Sequence, residues 1–355
     1  MKNTLSAKRW IASFFALTFL ILLLLSGFAY WVDPYFQFRA KDNTYFLSAP
    51  YVNAGLVRNY EYDTLIIGSC MIGNFNMDRF REELHVNPLK VESGGLGPDG
   101  IAAYLRFAAD AGKASRYIVN IDLATFQSAE SAIPNEYLMK DDLLSRAKYL
   151  LGYETWFRFL PVDCGLMLYK TCLGEFPPGK LSQRTSIDEN GAWNLSERFG
   201  RDIVVHNRLA NQYEVSEVDL NGLYDRLIFK IDRFLSGIDF DSASFTFIFP
   251  PYSALYWCDA QDLGYFDTFL AAKNYFIQQL LDRNCTVYDF QAAEETCNLD
   301  YYKDSTHYSS ALNDWMTDCF VRGDYLVTKE NCAMMQEKLI ETAAIFRAEN
   351  PDLFR

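Results

Sequence analysis

The sequence predicts an α/β domain, a parallel sheet covered by helices on both faces, behind one N-terminal membrane-spanning helix. Three observations predict it. Residues 10–32 form an uncharged apolar run long enough to cross a hydrocarbon core about 30 Å thick. Residues 62–68 end in Thr-Leu-Ile-Ile-Gly, a short continuous apolar run closed by glycine, as in a buried parallel strand that feeds a loop. Further strand-like runs at 89–92, 117–121, 244–249 and 285–290 alternate with helical patterns at 77–84, 100–111, 223–235 and 268–282, and that alternation implies a parallel sheet. Half of the 355 residues are hydrophobic and only 22% are charged, a balance that favours a packed globule over disorder.

The apolar run reads as a retained anchor. Trp10 stands at one end with Tyr30 and Trp31 at the other, where aromatic side chains meet the two interfaces. Lys2, Lys8 and Arg9 precede the run and Asp33 follows it. The positive-inside rule therefore puts residues 1–9 in the cytoplasm and everything beyond about residue 33 outside. The rival, a cleaved signal peptide, needs a shorter apolar region and a small-residue cleavage site. After the anchor, residues 33–60 read as a connector and 61–355 as the main domain.

The formal charge is −13, with no block of Lys and Arg, so nucleic acid is not an expected partner. Anionic lipid would repel such a surface, and attachment must come from burial of the helix. Eight cysteines in an exported domain allow disulfides. By spacing alone Cys164 with Cys172, Cys285 with Cys297, and Cys319 with Cys332 are candidates, although sequence does not fix pairing. No CxxC occurs and the three histidines are scattered, which speaks against a metal site. No cofactor is implied.

Between the third and fourth strands lies an insertion at about 127–242, too long to lack structure of its own. It is either a cap over the carboxyl edge of the sheet, where α/β folds bind ligands, or an elaboration of the core. Residues 329–349 read as a closing helix.

Two places carry chemistry-bearing residues. The first is the passage Gly68-Ser69-Cys70-Met71-Ile72-Gly73-Asn74, where a strand ends in glycine and small hydroxyl or thiol side chains ahead of a helix. Such a side chain stands at the sheet's carboxyl edge, where helix-terminal amides stabilise a thiolate or an oxyanion. A buried packing cysteine gives the same pattern. The second is Asp304-Ser305-Thr306-His307. A carboxylate and an imidazole three residues apart fit one turn, the acid orienting the ring and the other ring nitrogen facing a nucleophile from elsewhere. A histidine near a helix cap is the plainer reading.

Together the two places resemble the SGNH (GDSL-like) hydrolase superfamily, in which a nucleophile follows the first strand and a late Asp-x-x-His completes a triad. Tyr-Asp-Thr-Leu-Ile-Ile-Gly-Ser-Cys-Met-Ile-Gly-Asn-Phe is similar to a bacterial cell-envelope branch that includes proteins of D-alanyl-lipoteichoic acid biosynthesis, likewise anchored by an N-terminal helix. Ile-Phe-Pro-Pro-Tyr-Ser and Asp-Ser-Thr-His-Tyr-Ser extend the likeness over most of the exported part. The resemblance implies a three-layer α/β/α, flavodoxin-like parallel sheet of the SGNH type. It gives Gly68 the turn, Cys70 the nucleophile, Asp304 the orienting acid and His307 the base, with Gly94 or Gly95 supplying an oxyanion amide. Three departures stand out. Cys70 occupies the family's serine position, with Ser69 one place earlier, which leaves a thiol variant, a shift of register to Ser69 or an inactive site. The third strand reads Val-Asn-Ile-Asp in place of Gly-x-Asn-Asp, so Asn74 is preferred over Asn120 as the side-chain oxyanion donor. Gly73 stands where the branch often has Glu.

The implied function is a membrane-anchored esterase or O-acyltransferase at a bacterial cell membrane. Its implied substrate is an acylated envelope polysaccharide or teichoic-acid-like polymer, with a membrane-bound acyltransferase as a partner. The alternative is an inactive protein of the same fold that assembles with or binds envelope glycan.

Overall fold

The computed structural model describes residues 2–41, 49–127, 135–173, 199–210 and 218–354. Parts of the insertion, 128–134, 174–198 and 211–217, lie outside the described residues. The chain forms two compact units, one of Met1–Tyr60 with Pro134–Gly179 and one of Glu61–Ile133 with Lys180–Arg355.

The first unit is helical. Helix α1 (Lys2–Val32) contains the segment Ser6–Val32, long and apolar enough to cross a membrane. It ends where Asp33 takes a left-handed conformation (φ 48°), its amide donating to Ala29 O at 2.8 Å. Residues 33–60, read from sequence as a connector, hold α2 (Ala49–Asn59) and a buried turn. The Asp33 carboxylate accepts from the amides of Gln37 and Phe38 and from the Tyr149 hydroxyl, at 2.9, 3.0 and 2.7 Å. Gly55 of α2 is required by close approach, since a Cβ there would lie 2.2 Å from Tyr35 O.

The second unit is built on a mixed, mostly parallel six-stranded sheet in the order β2-β1-β3-β4-β5-β6. The strands are β1 (Thr64–Gly68), β2 (Pro88–Glu92), β3 (Arg116–Asn120), β4 (Ser244–Phe249), β5 (Thr286–Asp289) and β6 (Leu326–Val327). The first five match the sequence-predicted strands within two residues and are parallel. The expectation of a wholly parallel sheet is corrected at β6, which pairs antiparallel with β5, Val287 opposite Val327. β1 is buried at every residue, the reason its sequence is continuously apolar instead of alternating.

Helices α3 (Met77–Leu84) and α4 (Pro98–Ala111) follow β1 and β2. Asn76 caps α3, its Oδ1 accepting from Asp78 N at 2.9 Å. Pro98 opens α4 at its first position and left-handed Gly112 (φ 66°) closes it. The insertion supplies α5 (Leu143–Leu151), a π-helical turn (Glu154–Phe159) and α6 (Leu160–Leu173) to the helical unit, and α7 (Arg201–Leu209) and α8 (Leu223–Ser236) to the sheet unit. Then come α9 (Ala254–Asp262), α10 (Phe266–Asp282), α11 (Ser310–Arg322) and α12 (Cys332–Glu349). Phe126, Phe234, Phe249 and Phe276 form one aromatic cluster, and Phe75, Phe80, Tyr288, Phe290 and Phe320 another.

All eight cysteines are free thiols, so none of the three pairs that spacing allowed is formed. Cys258 donates instead to Ala343 O and Cys332 to Asn274 Oδ1, both at 3.3 Å.

One buried ion pair joins α10 to β5. Lys273 Nζ lies 2.7 Å from Asp289 Oδ2, with 3% and 2% of the side chains exposed. Truncating one partner leaves the other charge buried and uncompensated. Lys273→Met is therefore expected to cost about 3–5 kcal/mol, read by denaturant unfolding, with Lys273→Met/Asp289→Leu recovering most of the loss. A loss under about 1 kcal/mol in the single variant would show that the pair does not hold these elements together.

Candidate active site

The chain order of the sheet reverses between β1 and β3, which are neighbours although β2 intervenes in sequence. At such a switch point the loops leaving the two strands part in opposite directions and open a crevice at the carboxyl edge. The residues that end β1 and β3 therefore define the floor of the site.

Gly68 ends β1 against Asn120 at the end of β3. A Cβ on Gly68 would lie 2.7 Å from Asn120 Cβ and 3.3 Å from Ile72 Cγ2. Asn120 Cβ is bonded directly to its backbone and cannot swing aside, so Gly68→Ala must push the strand ends apart and displace Cys70 two residues on. The expected result is a loss of about 1–3 kcal/mol of stability and slower modification of Cys70 by a thiol reagent, measured on folded protein.

Ser69 is buried and caps the single 3₁₀ turn Cys70–Ile72. Its hydroxyl accepts from Met71 N at 3.5 Å and donates to Asp122 Oδ2 at 3.3 Å. Ser69 is thus directed to the end of β3, and Cys70 takes the half-exposed place. The turn is fixed from two directions. Tyr308 Oη and Asn313 Nδ2 donate to Met71 O at 3.0 and 3.2 Å. Buried Lys90 of β2 donates to the carbonyls of Gly73 and Phe75 at 2.7 and 3.1 Å.

The segment that brings the histidine is a tight loop between β5 and α11. Lys303 N donates to His307 O at 3.1 Å and Ser309 N to Tyr301 O at 2.8 Å, with Tyr302 and Tyr308 paired across the loop. Within it Asp304 Oδ1 accepts the amides of Thr306 and His307 at 2.8 and 2.7 Å. Its Oδ2 lies 2.8 Å from His307 Nδ1. On the opposite side of the ring, Nε2 lies 3.3 Å from Cys70 Sγ. A thiol, an imidazole and a carboxylate from residues 70, 307 and 304 thereby stand in series. Asp304 is 3% exposed and the His307 side chain 28%, so the acid is sealed while the ring edge and the thiol reach solvent.

The electrostatics follow from this series. Burial opposes a charge on His307, but hydrogen bonds and charge from Asp304 and Cys70 outweigh it and raise the ring above its ordinary value of 6.5. Burial likewise opposes the Asp304 carboxylate, and the hydrogen bonds from His307 and Thr306 win, holding it below 3.8. The ring therefore keeps its charge across neutral pH, with Nε2 facing Cys70 Sγ.

No family model matches the chain, and no curated protein does.

The other expected residues are placed less tightly. Gly94 and Gly95 are exposed on the loop after β2, Gly95 at φ +68°, and this loop is tied to the end of β1 where Ser93 N donates to Gly68 O at 3.3 Å. Asn74 is buried with its Oδ1 lacking a partner. Asn120, the less favoured donor by sequence, is buried against Gly68 with both side-chain polar atoms lacking a partner. Asp122 and Tyr252 are site neighbours that sequence reasoning passed over. The Tyr252 hydroxyl donates to Asp122 Oδ1, and burial raises the Asp122 pKa, opposed by Tyr252, His307 and Ser69. The signal was the Asp that ends Val-Asn-Ile-Asp, but its partners lie far off in sequence.

Part of the insertion reaches the loop of the histidine. Gly200 N donates to Tyr302 O and Asn207 Nδ2 to Lys303 O, at 2.9 and 2.8 Å. α7 accordingly braces the loop that carries Asp304 and His307.

Proposed function

We propose that the protein is a membrane-anchored, extracytoplasmic acyl-ester hydrolase or O-acyltransferase of the SGNH type. The observation that carries this reading is the series Cys70 Sγ, His307 Nε2 at 3.3 Å, and His307 Nδ1 to Asp304 Oδ2 at 2.8 Å. Nucleophile, proton carrier and orienting acid in hydrogen-bond reach are the working parts of triad acyl transfer. The five parallel strands run in the order β2-β1-β3-β4-β5, the order of flavodoxin-like sheets, and this supports a three-layer fold of the SGNH type with β6 as an added edge. Ser69 bonded to Asp122 supports Cys70 over Ser69 as nucleophile. Cys70 as a free thiol beside His307 favours an active site over an inactive glycan-binding one.

Cys70 Sγ, having passed its proton to His307, attacks the ester carbonyl and forms the C–S bond of a tetrahedral intermediate. Amides of Cys70 and Gly95 and the Asn74 side chain are the donors proposed for its oxyanion. As the C–O bond breaks, His307 returns the proton to the leaving alkoxide. Water or a polysaccharide hydroxyl then attacks the thioester and gives its proton to His307, and the C–S bond breaks to regenerate the thiolate. With water the net reaction is hydrolysis, and with a hydroxyl it is acyl transfer. An envelope polysaccharide or teichoic-acid-like polymer is the proposed acceptor or donor, and α1 with its positive N-terminal flank supports a domain outside the cytoplasm. A membrane-bound acyltransferase is the proposed partner in supply of acyl groups.

The test is intact-mass and peptide mapping of the detergent-solubilised chain after p-nitrophenyl acetate, alongside release of nitrophenol. An acetyl group on the peptide bearing Cys70, formed in a burst, is expected. A folded protein that releases no burst and carries no acetyl on Cys70 would sink this reading for simple esters.

A further inference from the structure

In the helical unit, large apolar side chains crowd one stretch. Leu143, Leu144, Tyr153, Phe157, Val162 and Leu168 are all exposed, Leu143 to 84% and Phe157 to 73%. They belong to α5, the π-helical turn and α6, or, for Tyr153, to the two residues that join α5 to the π-helical turn. In the sheet unit the exposed large hydrophobics, such as Leu209, Phe229 and Val321, stand apart in sequence and need no partner.

This stretch is packed on the end of α1. Ala29, Val32 and Leu160 form a buried cluster against which Leu150, Trp156, Cys164 and Met167 lie, and the rings of Phe28 and Trp156 are 6.0 Å apart. Residues 160, 164 and 167 share one helical face, so α6 turns that stripe to α1 and presents Val162 and Leu168 outward. Its acidic residue is neutralised at the junction. Asp163 is buried and pairs with Lys41 at 3.0 Å, and the same ammonium donates to the carbonyls of Val32 and Asp33 at 2.9 and 3.2 Å. Among the described residues Ser6–Val32 is the one helix long and apolar enough to cross a bilayer, so α6 is read as a segment lying in the interface.

We propose that α5, the π-helical turn and α6 form a second membrane contact, seated in the lipid interface beside the end of α1 with their exposed apolar side chains against acyl chains. The inference rests on α1 being the membrane anchor. A helix that leaves the bilayer near Val32 holds whatever packs on Ala29 and Val32 at the depth of the interface, where aromatic and aliphatic side chains without partners are stabilised by lipid. The occupant is thus the bilayer itself, continuous with the surface around α1.

The full chain is reconstituted in phosphatidylcholine vesicles doped with a phospholipid carrying a photoactivatable diazirine in its acyl chain, and adducts are mapped by mass spectrometry. Adducts are expected on α1 and on peptides spanning 143–169, with only background on those bearing Leu209 and Phe229. Adducts on α1 alone would overturn the second contact and leave the anchor standing, whereas adducts on neither would remove both. Cross-links between two copies at Lys148, formed by an added lysine-reactive bifunctional reagent and without lipid adducts at 143–169, would mean that a second chain covers this face and would also overturn the proposal. Phe157→Glu/Leu168→Glu changes two exposed side chains and is expected to abolish adducts at 154–169 while those on α1 persist. Unchanged adducts at 154–169 would count against the contact.

Discussion

Cys70→Ala is expected to abolish the acetyl adduct and the nitrophenol burst, with esterase turnover falling at least about a thousandfold. The reason is positional. Cys70 Sγ is the nucleophilic atom 3.3 Å from His307 Nε2, while Ser69, the nearest hydroxyl in sequence, is buried and bonded to Asp122. Alanine removes the nucleophile without disturbing the turn, which is held through Met71 O, Gly73 O and Phe75 O by other residues. His307→Ala is expected to retain a thiol that acylates slowly, by about 10²–10⁴-fold, because the proton carrier is gone. Cys70→Ser should still acylate, as an ester, but more slowly, since a hydroxyl gives up its proton far less readily than a thiol and is the weaker nucleophile at neutral pH. An undiminished adduct in Cys70→Ala would place acylation elsewhere on the surface and remove the mechanism.

The parts of the fold that were legible in sequence are those whose physics is local. β1 shows as Thr-Leu-Ile-Ile-Gly because both of its faces are buried. α3, expected at about 77–84, forms at Met77–Leu84, and the structure supplies the local reason: Asn76 caps its first turn. α9 was missed. Ala254 through Ala260 are all buried, so no polar stripe gives the period away. β6 has two residues and exists only through its pairing with β5. α2, within the presumed connector, is specified by its close approach to Tyr35 and Phe36 at Gly55, a contact with no periodic signature. The site divides in the same way. Asp304 and His307 are three residues apart and readable as one turn, and Cys70 is readable from the strand that precedes it. Their meeting spans 237 residues and came from likeness to a family. Asp122 ends Val-Asn-Ile-Asp, but its partners lie 53 residues away at Ser69 and 130 away at Tyr252.

Asp304→Asn is expected to lower the rate of Cys70 acylation by on the order of 10³–10⁴-fold while the protein stays folded, as loss of the orienting carboxylate does in serine triads. Asparagine Oδ1 can still accept the amides of Thr306 and His307, which Asp304 Oδ1 takes at 2.8 and 2.7 Å, so the loop keeps its shape. The change falls on Oδ2, now an NH₂ facing His307 Nδ1. That group donates where the carboxylate accepted, forcing the ring proton onto Nε2 and leaving no lone pair for the Cys70 proton. The charged ring also loses its main counter-charge, so its pKa should drop back toward the ordinary 6.5. The sign for stability follows from both partners. The raised His307 pKa stabilises the parent fully below 6.5, and that contribution is lost as pH rises through the raised value. The lowered Asp304 pKa stabilises it above 3.8, and that contribution is lost as pH falls through the lowered value. Parent and variant should therefore differ most in stability between about pH 4 and 6.5, the difference shrinking gradually as pH rises from there to the raised His307 value of about 10 and as it falls through the lowered Asp304 value. Burst rates and thermal midpoints measured across pH on both proteins check the two claims separately. A variant that acylates at the parental rate would show that His307 needs no orienting acid, and the series of three groups would then have no catalytic meaning.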